Sequence, residues 1–115
     1  PVLEAVHERL AGVYIERLPW RDFIDRWDRP FTLFFIDPPY WGSEDYYGRE
    51  LFSRDQFEEL SERLRRISGR FLMTINDRPE LRQLFGWAKI ETVRLTYSTG
   101  SKPTEGRELI IQPGD

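Results

Sequence analysis

Phe31-Thr32-Leu33-Phe34-Phe35-Ile36-Asp37-Pro38-Pro39-Tyr40 is the stretch on which the fold turns. Its first six residues are apolar save for Thr32. So short and continuous an apolar run is expected of a strand buried on both faces of a parallel sheet. The last four residues stop that strand abruptly, because Pro38 and Pro39 lack a backbone N–H and cannot continue a central ladder. Residues 31–36 are therefore read as a central parallel strand, with residues 37–40 just past its carboxyl end.

Upstream, Leu3, Val6 and Leu10 recur at helical spacing and Gly12 follows where a helix commonly ends, so a short helix is expected over residues 1–11. Val13 and Ile15 alternate as in a strand over residues 13–17. Trp20, Phe23, Ile24 and Trp27 then mark one face of a helix that begins near Pro19 and ends at the Asp28-Arg29-Pro30 turn.

Downstream, a polar loop with Gly42 and Gly48 leads to Ser53 and Gln56, which have the spacing of a capping box, with Phe52 and Phe57 placed as a hydrophobic staple. Phe57, Leu60, Leu64 and Ile67 form the apolar stripe of the helix so started, closed by Ser68-Gly69. A second apolar strand is expected over residues 71–75, and Leu81, Leu84 and Phe85 mark a short helix ending at Gly86. Val93, Leu95 and Tyr97 alternate, a polar loop containing Gly100, Pro103 and Gly106 follows, and Leu109 to Ile111 returns as the second arm of a hairpin. Strands alternating with helices and closing on a hairpin imply an α/β fold, a three-layer sheet with an antiparallel edge.

The 115 residues, 39% hydrophobic and 15% aromatic, suit one domain over residues 1–115. Without cysteine there is no disulfide and no thiolate metal site, and the single His7 cannot make a metal cluster by itself. A cytoplasmic protein without bound metal is expected. Apolar runs fall short of the roughly 20 residues that span a bilayer, and Glu4 and Glu8 stand where a signal peptide would be basic, so no membrane association is expected. A net charge of −3 argues against attraction to nucleic acid over the whole surface, so any DNA contact has to be local.

Ligands of open α/β sheets bind beyond the carboxyl ends of the strands, which is where Asp37, Pro38, Pro39 and Tyr40 fall. The plain structural reading is a strand stop, a turn cap at Asp37 and a Tyr40 that covers the core edge. The chemical reading starts from the exocyclic nitrogen of adenine, whose lone pair is delocalised into the ring. If Asp37 and the Pro38 carbonyl each accept one amino hydrogen, that nitrogen can pyramidalise and attack an electrophilic methyl group. Consecutive prolines hold the carbonyl in advance of reaction. Tyr40 can stack on a base taken out of the duplex, an interaction worth roughly 1–3 kcal/mol in single-strand binders.

These residues carry a resemblance. Ile15-Glu16-Arg17-Leu18-Pro19-Trp20, Asp28-Arg29-Pro30 and the strand into Asp37-Pro38-Pro39-Tyr40 resemble the Dam-like adenine-specific DNA methyltransferases, notably those carried by phages and prophages. Trp41-Gly42-Ser43-Glu44, Tyr46-Tyr47-Gly48, the helix from Ser53, Asn76-Asp77-Arg78-Pro79-Glu80, Tyr97-Ser98-Thr99-Gly100 and Glu108-Leu109-Ile110-Ile111 are similar to family segments in the family's order, so nearly all the chain after residue 12 is covered. The tetrapeptide is the most specific part.

The resemblance implies a Rossmann-like methyltransferase sheet, S-adenosylmethionine as methyl donor, and a flipped adenine in double-stranded DNA as acceptor. It assigns Asp37, Pro38, Pro39 and Tyr40 to the target adenine. Asp37 and the loop Leu18-Pro19-Trp20 are assigned to the neighbourhood of the donor.

The family's glycine-rich donor segment has no counterpart here, since Gly12 is the only glycine before Asp37. The acidic residue that holds the donor ribose and the helical target-recognition region also lack counterparts. The chain is therefore expected to be the carboxyl-terminal part of a class I catalytic domain, a truncated form with an incomplete sheet. Loss of the neighbouring strands would leave the strand of residues 31–36 with an unpaired edge, and such an edge invites a homodimer.

Among secondary features, Trp41, Tyr46 and Tyr47 with Arg49 and Arg54 either hold the base and DNA backbone or pack as a surface loop. Lys102 and Arg107 of the hairpin either contact phosphate or stand in solvent. Arg63, Arg65 and Arg66 with Glu58, Glu59 and Glu62 form a charged helix face, and His7 is incidental. The competing functions are a non-catalytic remnant that dimerises without binding donor, and a methyltransferase acting on RNA or protein amides.

Overall fold

A computed structural model describes residues 19–42, 52–99 and 102–114, and for residues 97–99 and 102–104 it describes the backbone alone. The helix expected over residues 1–11 and the strand expected over 13–17 lie outside the described residues. Seven elements follow in order: helix α1 (Trp20–Trp27), strand β1 (Leu33–Ile36), helix α2 (Arg54–Arg66), strand β2 (Arg70–Asn76), helix α3 (Pro79–Leu84), and strands β3 (Lys89–Thr99) and β4 (Lys102–Gln112).

Helix α2 starts as its sequence dictates. The Ser53 hydroxyl accepts a hydrogen bond from the Gln56 N–H at 3.3 Å, and the Phe52 and Phe57 rings meet edge to face at 4.6 Å. Phe57, Leu60 and Leu64 are buried along the predicted stripe, and the helix ends at Arg66 with Ile67, the last residue of that stripe, as C-cap. The Arg66–Glu62 pair at 3.3 Å, one turn apart, belongs to the solvated face. Arg63 instead reaches across to Asp25 of α1, and Arg21 of α1 pairs with Glu59 of α2, so charged groups strap the two helices together.

The sheet is open and mixed, in the order β1-β2-β4-β3. β1 and β2 are parallel, with Phe34 beside Phe71 and Ile36 beside Met73. β4 runs antiparallel to both β2 and β3. Phe34, the alternating Phe71, Met73 and Ile75, and Leu109 with Ile111 form one cluster with Ile24 of α1, Phe57, Leu60 and Leu64 of α2, and Leu81 of α3. Alternation along a strand puts these positions on a single face, so the described helices share one face of the sheet and make two layers with it.

Two expectations are corrected. Residues 31–36 are not buried on both faces, and among the described residues they are not central. β1 is an edge strand among the described residues, and Phe31, Leu33 and Phe35 are 88%, 66% and 70% exposed. A continuous apolar run reports low polarity and does not count how many faces have a covering partner. The polar loop spanning Gly100, Pro103 and Gly106 is also shorter than expected, because Pro103 pairs with Ser98 and Gly106 with Leu95 as members of β4. Proline and glycine are tolerated there because residues 102–106 extend past β2 and, among the described residues, pair with β3 alone.

Between β1 and β2 the chain closes tightly at the amino ends. The Asp28 carboxylate accepts the N–H groups of Ser68 at 2.9 Å and Gly69 at 2.9 Å, and the Thr32 carbonyl accepts the Arg70 N–H at 2.8 Å. A Cβ at position 69 would lie 2.5 Å from the Thr32 carbonyl oxygen and 2.8 Å from that of Arg29, so only glycine fits.

Candidate functional site

The carboxyl ends of β1 and β2 lie side by side, and each is followed by a loop rich in functional groups. After β1 come Asp37, exposed, Pro38, buried, Pro39, half-buried, and Tyr40, 44% exposed. A buried Pro38 between exposed Asp37 and Tyr40 anchors the loop while its two functional side chains face outward. This is the one place where the described strands present a carboxylate and an aromatic ring together past a parallel pair.

After β2, the Asn76 side chain binds the same loop. Its Oδ1 accepts the Trp41 N–H at 2.9 Å and its Nδ2 donates to the Trp41 carbonyl at 3.0 Å. The next residue, Gly42, has φ +89°, a left-handed conformation that glycine adopts without strain. The Trp41 ring lies 5.1 Å from the Phe57 ring, and the Arg54 guanidinium sits 5.7 Å over it. The Arg78 guanidinium lies beside Gly42, 3.4 Å from where a Cβ would stand. Trp41 is therefore part of the site's wall, with its peptide and its ring both engaged by the protein.

Aromatic contacts tie in α1. Trp20 lies 6.0 Å from Phe52, Phe52 packs on Phe57, and Phe57 on Trp41, so the start of α1 stands at the same end of the sheet as residues 37–42. Pro19, exposed, is the N-cap of α1. Trp20 is half-buried with the Arg21 guanidinium 4.6 Å from its ring, and its indole N–H is buried without a hydrogen-bond partner.

Asp77, next to Asn76, is held by Arg82 through two hydrogen bonds of 2.9 and 3.1 Å, and its N–H donates to the Arg107 carbonyl at 3.0 Å. Arg82 also donates to Thr92 Oγ1 at 2.6 Å, joining α3 to β3. The hydrogen bond from Arg82 lowers the Asp77 pKa below the usual carboxylate value, and the nearby positive charges of Arg82 and Arg107 act in the same direction. Asp77 is thus an ionised structural pin.

Of the other expected contact residues, Arg107 is exposed on β4 close to the end of β2, opposite Arg94. Lys102 lies five residues further out on β4, roughly 16 Å at the usual rise per strand residue, on a two-stranded arm that projects past the carboxyl end of β2. Tyr46, Tyr47 and Arg49 lie outside the described residues. Among the described residues no group of acidic, histidine or cysteine side chains is placed to hold a metal ion, and no helix is long and apolar enough to cross a membrane.

Sequence reasoning named Asn76 only within the segment Asn76-Asp77-Arg78-Pro79-Glu80 and gave it no role of its own. The available signal was its place, since an asparagine ending one parallel strand beside a strand that ends in Asp-Pro-Pro is positioned to bind the neighbouring loop. Ser61 was also missed. Buried within the apolar stripe of α2, it donates to the Leu84 carbonyl at 2.7 Å and accepts from Trp87 Nε1 at 2.9 Å, satisfying both polar groups inside the core. No protein-family model matches the chain, and no curated protein matches it.

Proposed function

We propose that the chain is the carboxyl-terminal part of an adenine-specific DNA methyltransferase of the Dam-like kind, built on a Rossmann-like three-layer sheet, with double-stranded DNA as partner. The observation that carries this reading is Asp37-Pro38-Pro39-Tyr40 past the end of a parallel strand, with Asp37 and Tyr40 exposed and Pro38 buried. Asp37 and the Pro38 carbonyl accept the two amino hydrogens of adenine and free its lone pair. Tyr40 offers a ring for the flipped base, and both prolines limit backbone adjustment while the base is held. Arg54 and Arg107 stand near the same end of the sheet for the DNA backbone, where neutralising phosphates supplies affinity that a net charge of −3 does not.

S-adenosylmethionine would supply the electrophilic methyl group. The exposed Asp37 carboxylate and the Pro19-Trp20 corner, whose buried indole N–H lacks a partner, fit one side of such a donor. The sequence holds no glycine-rich segment for the other side. The test is calorimetric titration of the chain with S-adenosylmethionine, with Asp37→Ala as control, followed by transfer of labelled methyl groups to adenine-containing duplex DNA. Saturable binding lost in the variant, and label on adenine, is the expected result. Binding that is absent, or unchanged by Asp37→Ala, refutes the donor assignment.

A second reading is favoured by one observation, the edge of β1 that no other described strand pairs, with Phe31, Leu33 and Phe35 exposed. On this reading the chain is a non-catalytic remnant that dimerises through that edge. Sedimentation that gives only monomer at high concentration removes it.

A further inference from the structure

We propose that Asn76 is the positioning residue of the Asp37–Tyr40 site: its side-chain amide acts as a strand partner for Trp41 and fixes the peptide that follows Tyr40. The inference rests on the adenine reading of that site. The loop's two ends are both tied to β2. At its start Ile36 is in register with Met73. At its end the Trp41 N–H and carbonyl are both taken by Asn76. Residues 37–40 are thus spanned between two anchors three residues apart on one strand, and Pro38 and Pro39 remove two of the remaining backbone torsions.

The residue type is specific. A primary amide is the side chain that offers one acceptor and one donor in the geometry of a peptide group. Aspartate at position 76 would still accept from the Trp41 N–H, but when ionised it would set a second oxygen against the Trp41 carbonyl where a donor is needed. Asn76 occupies a strand end whose own backbone is already in register with Glu108 of β4, so its side chain is free of any role in the ladder. Gly42 then turns the chain away at φ +89°, and Phe57 holds the Trp41 ring. Asn76 touches neither base nor donor in this scheme. It acts by holding Tyr40 and the Pro38 carbonyl in their relative places.

The experiment uses the whole chain and two readouts. The first is hydrogen exchange of the Trp41 backbone amide by NMR, which needs no ligand. Strong protection in the wild type, lost in Asn76→Ala with the melting temperature little changed, is expected, and fast exchange in the wild type overturns the proposal outright.

The second is quenching of the chain's tryptophan fluorescence by a single-stranded oligonucleotide carrying one adenine among thymines, with Tyr40→Ala as reference. Asn76→Asp is expected to weaken binding about tenfold at pH 8, the equivalent of one to two lost net hydrogen bonds. Its affinity relative to wild type should recover as pH falls toward about 4, the ordinary range of an aspartate, where protonation of the introduced carboxyl group restores a donor. A merely structural asparagine would give a fixed deficit at all pH values. Wild-type quenching that needs Tyr40 but is matched by Asn76→Asp at pH 8 overturns the positioning role and leaves the adenine reading standing. Quenching that is absent, or indifferent to Tyr40→Ala, overturns the adenine reading and with it the role assigned to Asn76, even where the Trp41 amide is protected.

Discussion

β1 and β2 are neighbours in one ladder, and the more apolar of the two is the less buried. β1 reads Leu-Phe-Phe-Ile, yet Leu33 and Phe35 are 66% and 70% exposed. β2 reads Arg-Phe-Leu-Met-Thr-Ile-Asn, yet Phe71, Met73 and Ile75 are essentially inaccessible and Leu72, Thr74 and Asn76 half-buried. The difference is one of position. β2 has a partner on each edge, and β1 has one partner among the described strands. Composition tells how much a strand could bury, and neighbours decide how much it does bury.

The sharpest way to break this comparison is to truncate consecutive residues of β1. Phe34 is 4% exposed and packs edge to face with Phe23 at 6.3 Å. Phe34→Ala is expected to cost about 3–5 kcal/mol, the usual range for emptying a buried phenylalanine site. Phe35→Ala, one residue along and on the open face, should change stability by about 0.5 kcal/mol or less. Denaturant melts of the two variants decide the matter, and similar losses would mean that the open face is covered in solution.

A smaller effect is expected where the two strands are joined at their amino ends. Gly69→Ala places a methyl group 2.5 Å from the Thr32 carbonyl oxygen, which is backbone and cannot rotate away. A loss of about 2–3 kcal/mol is expected, through separation of β1 from β2 and through weakening of the bond between the Gly69 N–H and Asp28. Exchange of the Arg70 amide, bonded to the Thr32 carbonyl, should accelerate more than that of the amides pairing β2 to β4. Uniform acceleration would mean that β1 and β2 are not separable units.

What the sequence made legible follows the same division. Features set by neighbours in sequence were readable: the 3.6-residue stripe of α1, the Ser53 cap with its Phe52–Phe57 staple, and the apolar strand over residues 71–75. Features set by neighbours in space were not. The exposure of Phe31, Leu33 and Phe35 depends on which strands and helices are present. The extension of the hairpin through Pro103 and Gly106 depends on pairing along a single edge. At the site, the tetrapeptide was legible because its chemistry is local to four consecutive residues. Asn76 was not, because its partner Trp41 is 35 residues away and the pairing depends on two strand ends being level.

The smallest effect concerns the carboxyl end of β2, where Asp77 is pinned by Arg82. Its pKa is lowered in the folded protein, first by the hydrogen bond from Arg82, so the folded state favours the ionised form more than the unfolded state does. The sign of the linkage follows. Asp77 contributes its stabilisation fully above the unfolded value of 3.8, and that contribution is lost as pH falls through the lower folded value. Arg82 is nearly half exposed, so screening by water keeps the contribution at about 1 kcal/mol or less. Asp77→Asn should therefore be slightly less stable than wild type at pH 6, with a gap that closes only as pH falls below 3.8 through the lowered folded value. Urea melts of Asp77→Asn and wild type from pH 6 down to about pH 2 test this, and a stability gap that persists undiminished at the lowest pH would show that Arg82 holds this position by geometry and not by charge.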